Sequence, residues 1–210
     1  MNTQKKIVKI IVTGGPCGGK STIIKQITPK IQDKGWKVFI AQEMATRLFE
    51  SGIEISEKGI SLYQFQEQLL LRQIDEEDFM QNLAEQHNYN NVVILCDRGI
   101  IDGQAYISET DFDKILQDNG YTRQQVRDER YDLVIHLSTA AYGAEEFYTL
   151  ENNHTRTESI AEARIVDDKT KAVWSEHPHL RTIDNSTCFE GKISRTLQEI
   201  FSFLEISWIK

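Results

Sequence analysis

Cysteine is scarce in this sequence: Cys17, Cys96 and Cys188 are the only three among 210 residues, widely spaced and without a CxxC pair. That excludes a disulfide framework and a thiolate zinc site, and it fits reduced thiols in a cytoplasmic protein. The histidines, at 87, 136, 154, 177 and 179, show no metal-ligand spacing, and His136 reads as a satisfied core residue inside an apolar run. Linkers rich in Pro, Gly or Ser, internal repeats and low-complexity tracts are missing too, so 1–210 reads as a single domain of ordinary size. Long apolar runs are absent. The opening MNTQKKIVKIIVTGG is interrupted by Lys9 and closed by glycines, too short for a secretory signal or a membrane span and better suited to a buried strand. Nor is there an excess of basic charge: 24 Lys and Arg stand against 32 Asp and Glu, a net charge of −8. General binding of nucleic acid or of an anionic membrane is therefore not expected, although a local basic pocket for a small anion is compatible with it.

What the sequence does contain is an alternation of apolar runs and helical periodicities. Ile7 to Thr13 reads as a strand ending at Gly14-Gly15. Lys20 to Gln32 places Ile23, Ile24, Ile27 and Ile31 at helical spacing, with Pro29 expected to kink or restart the helix at Thr28. Further strands are expected at Lys37–Ala41, Asn91–Cys96, Tyr131–Leu137 and His179–Ile183. Helices are expected at Met44–Phe49, Ser61–His87 (with an acidic patch at 75–78), Glu158–Ser175 and Ile193–Phe203. Strands that are apolar at every position belong in a parallel sheet covered on both faces. The alternation therefore predicts an α/β fold with right-handed crossovers and a ligand at the carboxyl ends of the strands. Those ends carry Gly14, Glu43, Asp97, Thr139 and Asp184.

The first of these ends opens Gly14-Gly15-Pro16-Cys17-Gly18-Gly19-Lys20-Ser21, a match to GxxxxGK[ST] between a strand and a helix. Its glycines let successive backbone N–H groups face one phosphate, Lys20 reaches the β and γ phosphates, and Ser21, with Thr22 beside it, stands where a Mg²⁺ ligand is needed. Asp97 closes the most apolar strand; a carboxylate there calls for a cation, and Mg²⁺ held through water is the expected one. Arg98 follows as a ligand for phosphate or an anionic substrate. Glu43 ends the second strand, where it can accept a proton from a substrate hydroxyl or cap the following helix. Arg156 and Arg164, in a polar segment, are candidates for a lid (about 150–166) that closes over the transferring phosphoryl group.

The runs TGGPCGGKST, AQEMATRLFESG, VVILCDRGIIDG and HPHLRTIDNS, in that order across nearly the whole chain, resemble a P-loop, kinase-like AAA domain. That domain is shared by the ribosylnicotinamide-kinase part of bacterial NAD regulators and the fly GTP-binding protein of the TRPL-translocation-defect type. They are also similar to nucleoside and nucleotide kinases more broadly. The resemblance implies a three-layer P-loop NTPase fold with a five-stranded parallel sheet in the order 2-3-1-4-5. It also implies candidate bases at Glu43 and Asp97, lid arginines at Arg156 and Arg164, and Asp184 and Asn185 beside the nucleotide base. Phe65-Gln66 is similar to the helix that reads the nucleobase in deoxynucleoside kinases.

Two functions follow as expectations. The first is a Mg²⁺-dependent kinase moving the γ-phosphoryl of ATP or GTP to a hydroxyl on a small, nucleoside-like molecule. The alternative is a regulatory NTPase that switches partners without such an acceptor. An AAA-type remodelling motor is not expected, because the length leaves no room for its helical lid domain. Neither NKxD nor DxxG occurs, which removes the signatures of a small GTPase, whereas Glu43, Asp97-Arg98 and the arginines favour the kinase.

Overall fold

A computed structural model of the chain describes residues 5–148 and 159–205. Five parallel strands, β1 (Lys6–Thr13), β2 (Lys37–Ala41), β3 (Asn91–Asp97), β4 (Leu133–Leu137) and β5 (Leu180–Ile183), form one sheet in the order β2-β3-β1-β4-β5. This is the expected order. It places β1 at the centre between β3 and β4, so the turn after β1 emerges with neighbours on either side.

The helices are α1 (Lys20–Gln32), α2 (Met44–Glu50), α3 (Leu62–Gln86), α4 (Glu109–Asp118), α5 (Arg123–Arg127), α6 (Ile160–Val173) and α7 (Phe189–Leu204), with a 3₁₀ segment at Ile100–Ala105. The alternation of side chains along β1 divides the core in two. Ile10 and Val12 pack with Ile23, Ile27 and Ile31 of α1 and with Leu197 and Ile200 of α7. Ile11 faces the other way, with Leu70 and Ile74 of α3, Phe112 of α4 and Trp174 at the end of α6. Both faces of the strand are apolar because both are covered, as a central parallel strand requires. Among the described residues, no helix is long and apolar enough to cross a membrane.

Several boundaries are set by local chemistry. Ser61 caps α3 and Ser159 caps α6 through reciprocal capping boxes with Gln64 and Glu162. Three expectations need correction. Pro29 does not restart α1; the helix runs through it, with Pro29 and Lys25, the residue one turn before, both on the exposed face. Thr28 is correspondingly no cap, since its hydroxyl donates back to the Ile24 carbonyl. The closing helix α7 begins at Phe189 rather than Ile193, giving a full extra turn over the phosphate-loop side.

Candidate active site at the carboxyl ends of the strands

The turn after β1 is held from below by β4. Gly14 has φ of +134°, and a Cβ there would lie 2.1 Å from the Leu137 carbonyl oxygen, so only glycine fits. Thr139 donates its hydroxyl to the Pro16 carbonyl and the Ala140 N–H donates to Cys17 O at 3.2 Å. Gly18 lies over the same β4 terminus, and Gly19 is the N-cap of α1. No side chain caps α1 and no acidic residue stands in its first turn, which leaves the positive end of the helix for an anion. Lys20 is buried, its ammonium donating to the Gly14 and Gly15 carbonyls at 3.0 and 2.8 Å. Ser21 and Thr22 follow in the exposed first turn.

Ser21 donates to Asp97 Oδ2 at 2.8 Å, joining the phosphate loop to the end of β3. The other oxygen, Asp97 Oδ1, is buried and has no hydrogen-bond partner among the described residues. Burial first, and then the nearby Glu43 charge, push this carboxyl above its usual range, against the pull of Lys20, Ser21 and Arg98. A hydroxyl and an unpartnered carboxylate oxygen form a hard oxygen donor pair that fits Mg²⁺, a cation that keeps several waters and needs few protein ligands. The described residues contain no cluster of three or more His, Cys, Asp or Glu that would form an all-protein cage. Asp97→Asn keeps the shape and removes the charge, so the Mg²⁺ concentration giving half-maximal turnover should rise at least about tenfold. An unchanged Mg²⁺ titration would leave Asp97 a structural partner of Ser21.

Arg98 takes φ of +77°, an unfavourable region for a non-glycine residue that costs about 1–3 kcal/mol. The conformation directs its guanidinium back across the site. Nε donates to Glu43 Oε1 at 2.6 Å, while NH1 lies 3.4 Å from the Gly14 carbonyl and 3.6 Å from Asp102 Oδ2. Glu43 is the N-cap residue of α2, yet its side chain caps nothing; its second oxygen accepts from Thr46 Oγ1 at 2.8 Å. Burial alone would raise the Glu43 carboxyl. The charges of Arg98 and Lys20 and the bonds from Arg98 and Thr46 outweigh it and bring the value down to about 2. Asp102, absent from the sequence expectations, is buried between Thr13 Oγ1 at 2.5 Å and Trp174 Nε1 at 2.6 Å, beside Arg98.

A cavity of about 210 Å³ opens next to these groups. Pro16, Glu43 and Arg98 line it, together with Phe49, Phe65 and Gln66. Phe49 and Phe65 stack at 4.8 Å. Gln66 is buried, and its Oε1 has no partner among the described residues. Asp97 and Lys20 do not line this cavity, so the two candidate bases face different spaces.

Arg164, Asp184 and Asn185 lie away from this cavity, on the side of β4 and β5. Arg164 donates to the Ala141 carbonyl at 2.7 Å and to Glu145 at 2.8 Å, with its guanidinium 5.4 Å from the Tyr142 ring centre. Arg156 and residues 150–158 of the expected lid lie outside the described residues; 160–166 form the first half of α6. Asp184 is engaged by Ser186 and Arg195, which hold its carboxyl well below the usual range. Asn185 donates to the Thr139 and Tyr142 carbonyls and accepts from Lys192. The Asn185 side chain thus braces the loop after β4, while that of Asp184 ties the turn after β5 to α7, so neither side chain is free for the contact with a nucleotide base that was expected of it.

A search among curated proteins finds no match. A protein-family model described as an AAA domain matches residues 9–192, from the middle of β1 into α7, and so takes in the phosphate loop, Glu43, Asp97 and Arg98. With most of its length inside that match, the chain belongs to this family of P-loop, nucleotide-binding AAA domains.

Proposed function

We propose that the protein is a Mg²⁺-dependent phosphotransferase that moves the γ-phosphoryl group of ATP or GTP to a hydroxyl of a small, nucleoside-like molecule. The cavity carries this reading. It abuts the phosphate loop at Pro16 and is lined by a carboxylate, Glu43, and a guanidinium, Arg98. A nucleotide switch that only hydrolyses has no need of a second, largely apolar chamber. The resemblance to ribosylnicotinamide and nucleoside kinases points the same way.

In this reading the acceptor hydroxyl oxygen forms a bond to the γ-phosphorus while the bond to the β,γ-bridging oxygen breaks. The diphosphate leaves with its electron pair, and the hydroxyl proton passes to Glu43. When bound, Mg²⁺ neutralises charge on the β and γ oxygens. Asp97 and Ser21 would hold it, which assigns Asp97 to the metal and Glu43 to the proton. Arg98 turns from Glu43 toward the phosphoryl oxygens, and losing that contact restores basicity to the carboxylate. Arg164, with Arg156, supplies further positive charge to the loaded site.

The aromatic and amide lining indicates the kind of acceptor. Stacked phenyl rings offer an apolar wall to a planar ring, and a buried amide oxygen without a partner costs about 1–3 kcal/mol unless a ligand N–H or O–H meets it. Phosphoryl transfer should therefore be seen in a screen of nucleosides, ribosylnicotinamide and simple alcohols with ATP and GTP. Gln66→Leu keeps the volume and removes the polar atom, so it should raise the acceptor KM about tenfold or more without lowering fold stability or changing the KM for the triphosphate. Slow hydrolysis that no alcohol accelerates would favour the regulatory NTPase instead.

A further inference from the structure

Asp167 is a buried carboxylate that none of the sequence motifs singles out. It lies on the second half of α6, and its Oδ1 accepts the Gly15 N–H at 2.6 Å. His136, buried in β4, places Nε2 3.3 Å from the same oxygen, yet neither ring nitrogen has a hydrogen-bond partner among the described residues, so the satisfied core histidine expected from the sequence needs correction. Burial would push the Asp167 carboxyl up, but His136 and the amides of Gly15 and Thr139 hold it below the usual range. The helix itself also presses on the loop. A Cβ on Gly15 would come within 2.8 Å of Asp167 Cβ and 3.0 Å of its Cα. This close approach is reason enough for glycine at position 15.

Asp167 does not stand alone on this helix. One turn earlier, Arg164 is fixed over Tyr142, whose hydroxyl donates to Asp168 at 2.7 Å. Just past the end of α6, Trp174 is fully buried and donates to Asp102, the carboxylate beside Arg98. The helix is thus fastened at the β4 loop, at the phosphate loop and at the Arg98 end of the site. Trp174 and the Gly15 packing fix the backbone from which Asp167 reaches the loop.

We infer that Asp167 is a positioning residue: through the Gly15 N–H it sets the first turn of the phosphate loop in the conformation that receives the triphosphate. This holds whether the phosphoryl group goes to an alcohol or to water, since it concerns binding and not the acceptor. The competing possibility is that the carboxylate stands in for a phosphate oxygen and opposes binding. The two predict opposite signs.

The test uses the full chain and MgATP or MgGTP, whichever the parent holds more tightly, at a temperature where circular dichroism shows each variant folded. Asp167→Ala should weaken binding about tenfold or more. Asp167→Asn, which keeps one acceptor oxygen but replaces a charge-assisted bond by a neutral one, should weaken it about threefold. A role confined to stability moves the melting temperature and leaves affinity below it untouched, and that result overturns the inference. So does tighter binding by either variant. Should Asp167→Ala fail to fold, ¹⁵N-glycine labelling of the parent and Asp167→Asn decides the matter. The Gly15 amide should shift upfield in the variant together with the loss in affinity. A Gly15 resonance that stays in place, or one that shifts while affinity holds, overturns it. A parent that binds neither nucleotide sinks the phosphate-loop reading and this inference together.

Discussion

Replacing Lys20 by alanine should remove measurable binding of ATP and GTP while leaving the protein folded. Its ammonium is buried at the mouth of the phosphate loop, where the Gly14 and Gly15 carbonyls hold it at 3.0 and 2.8 Å. In the loaded protein the same charge meets the β and γ phosphates. Hydrogen bonds to a charged group contribute about 1.5–3 kcal/mol each, so losing even two raises the dissociation constant by roughly a hundredfold or more. The fold has little stake in the ammonium, because the packing of α1 on the sheet rests on Ile23, Ile24, Ile27 and Ile31. Lys20→Met, which retains most of the aliphatic stem, should behave like the alanine variant in binding and like the parent in stability. Isothermal titration with both nucleotides in Mg²⁺ measures the effect. A Lys20→Ala protein that binds either nucleotide as the parent does would refute the assignment of this loop.

Much of the architecture was legible because the strands are apolar on both faces. That pattern is written residue by residue in Ile7 to Thr13 and Asn91 to Cys96, and it forces a covered parallel sheet. The start at Ser61 was read where the structure has it; the later helix was expected from Glu158, and the serine followed three residues on by Glu162 marks its cap at Ser159, as Gln64 does for Ser61. The stretch from Ile100 to Arg127 was not. Its helices are short, and α5 carries a single buried residue, Val126, too little to show a period. Charge runs also misled. Glu77 lies within four consecutive acidic residues, yet it is fully buried, accepting from Arg130, Tyr131 and Gln73; helical spacing turns it inward while Asp75 stays exposed.

The site divides along the same line. Lys20, Ser21, Glu43, Asp97 and Arg98 stand at strand ends or in a spaced motif, where sequence position alone states their neighbourhood. Gln66 was drawn out by the resemblance, but Asp102 and Asp167 act through tertiary contacts with distant segments, Thr13 and Trp174 for the first and Gly15 for the second. Only their character as polar residues among apolar helical neighbours could have drawn notice. Asn185 shows the converse. Its position after the last strand was right for a nucleotide contact, but its amide is spent on the Thr139 and Tyr142 carbonyls.

Glu43→Gln should abolish phosphoryl transfer more completely than it harms nucleotide binding. Glu43 lines the cavity proposed for the acceptor, whereas Asp97 faces Ser21; Asp102 lines it too but is buried between Thr13 and Trp174, so the proposal gives the hydroxyl proton to Glu43. Positioned general bases contribute about 10²–10⁴-fold, and that is the expected fall in kcat, with the triphosphate dissociation constant within a few-fold of the parent. The ion pair with Arg98 complicates the comparison through stability. Because the Glu43 carboxyl is lowered from an ordinary 4.5 to about 2, its contribution is fully present above 4.5 and is lost as the pH falls toward 2. At pH 7 the shift corresponds to about 3 kcal/mol, so the variant should melt earlier. Kinetics below its melting range remove that effect. Glu43→Asp retains the charge but draws it away from Arg98 and the hydroxyl, and should recover only a small part of the rate. A structural clamp on Arg98 predicts a different pattern, in which Glu43→Gln raises the KM for the triphosphate, with kcat at saturation unchanged. That outcome would move the proton-accepting role away from Glu43 and leave it as the partner that holds Arg98 in its left-handed conformation.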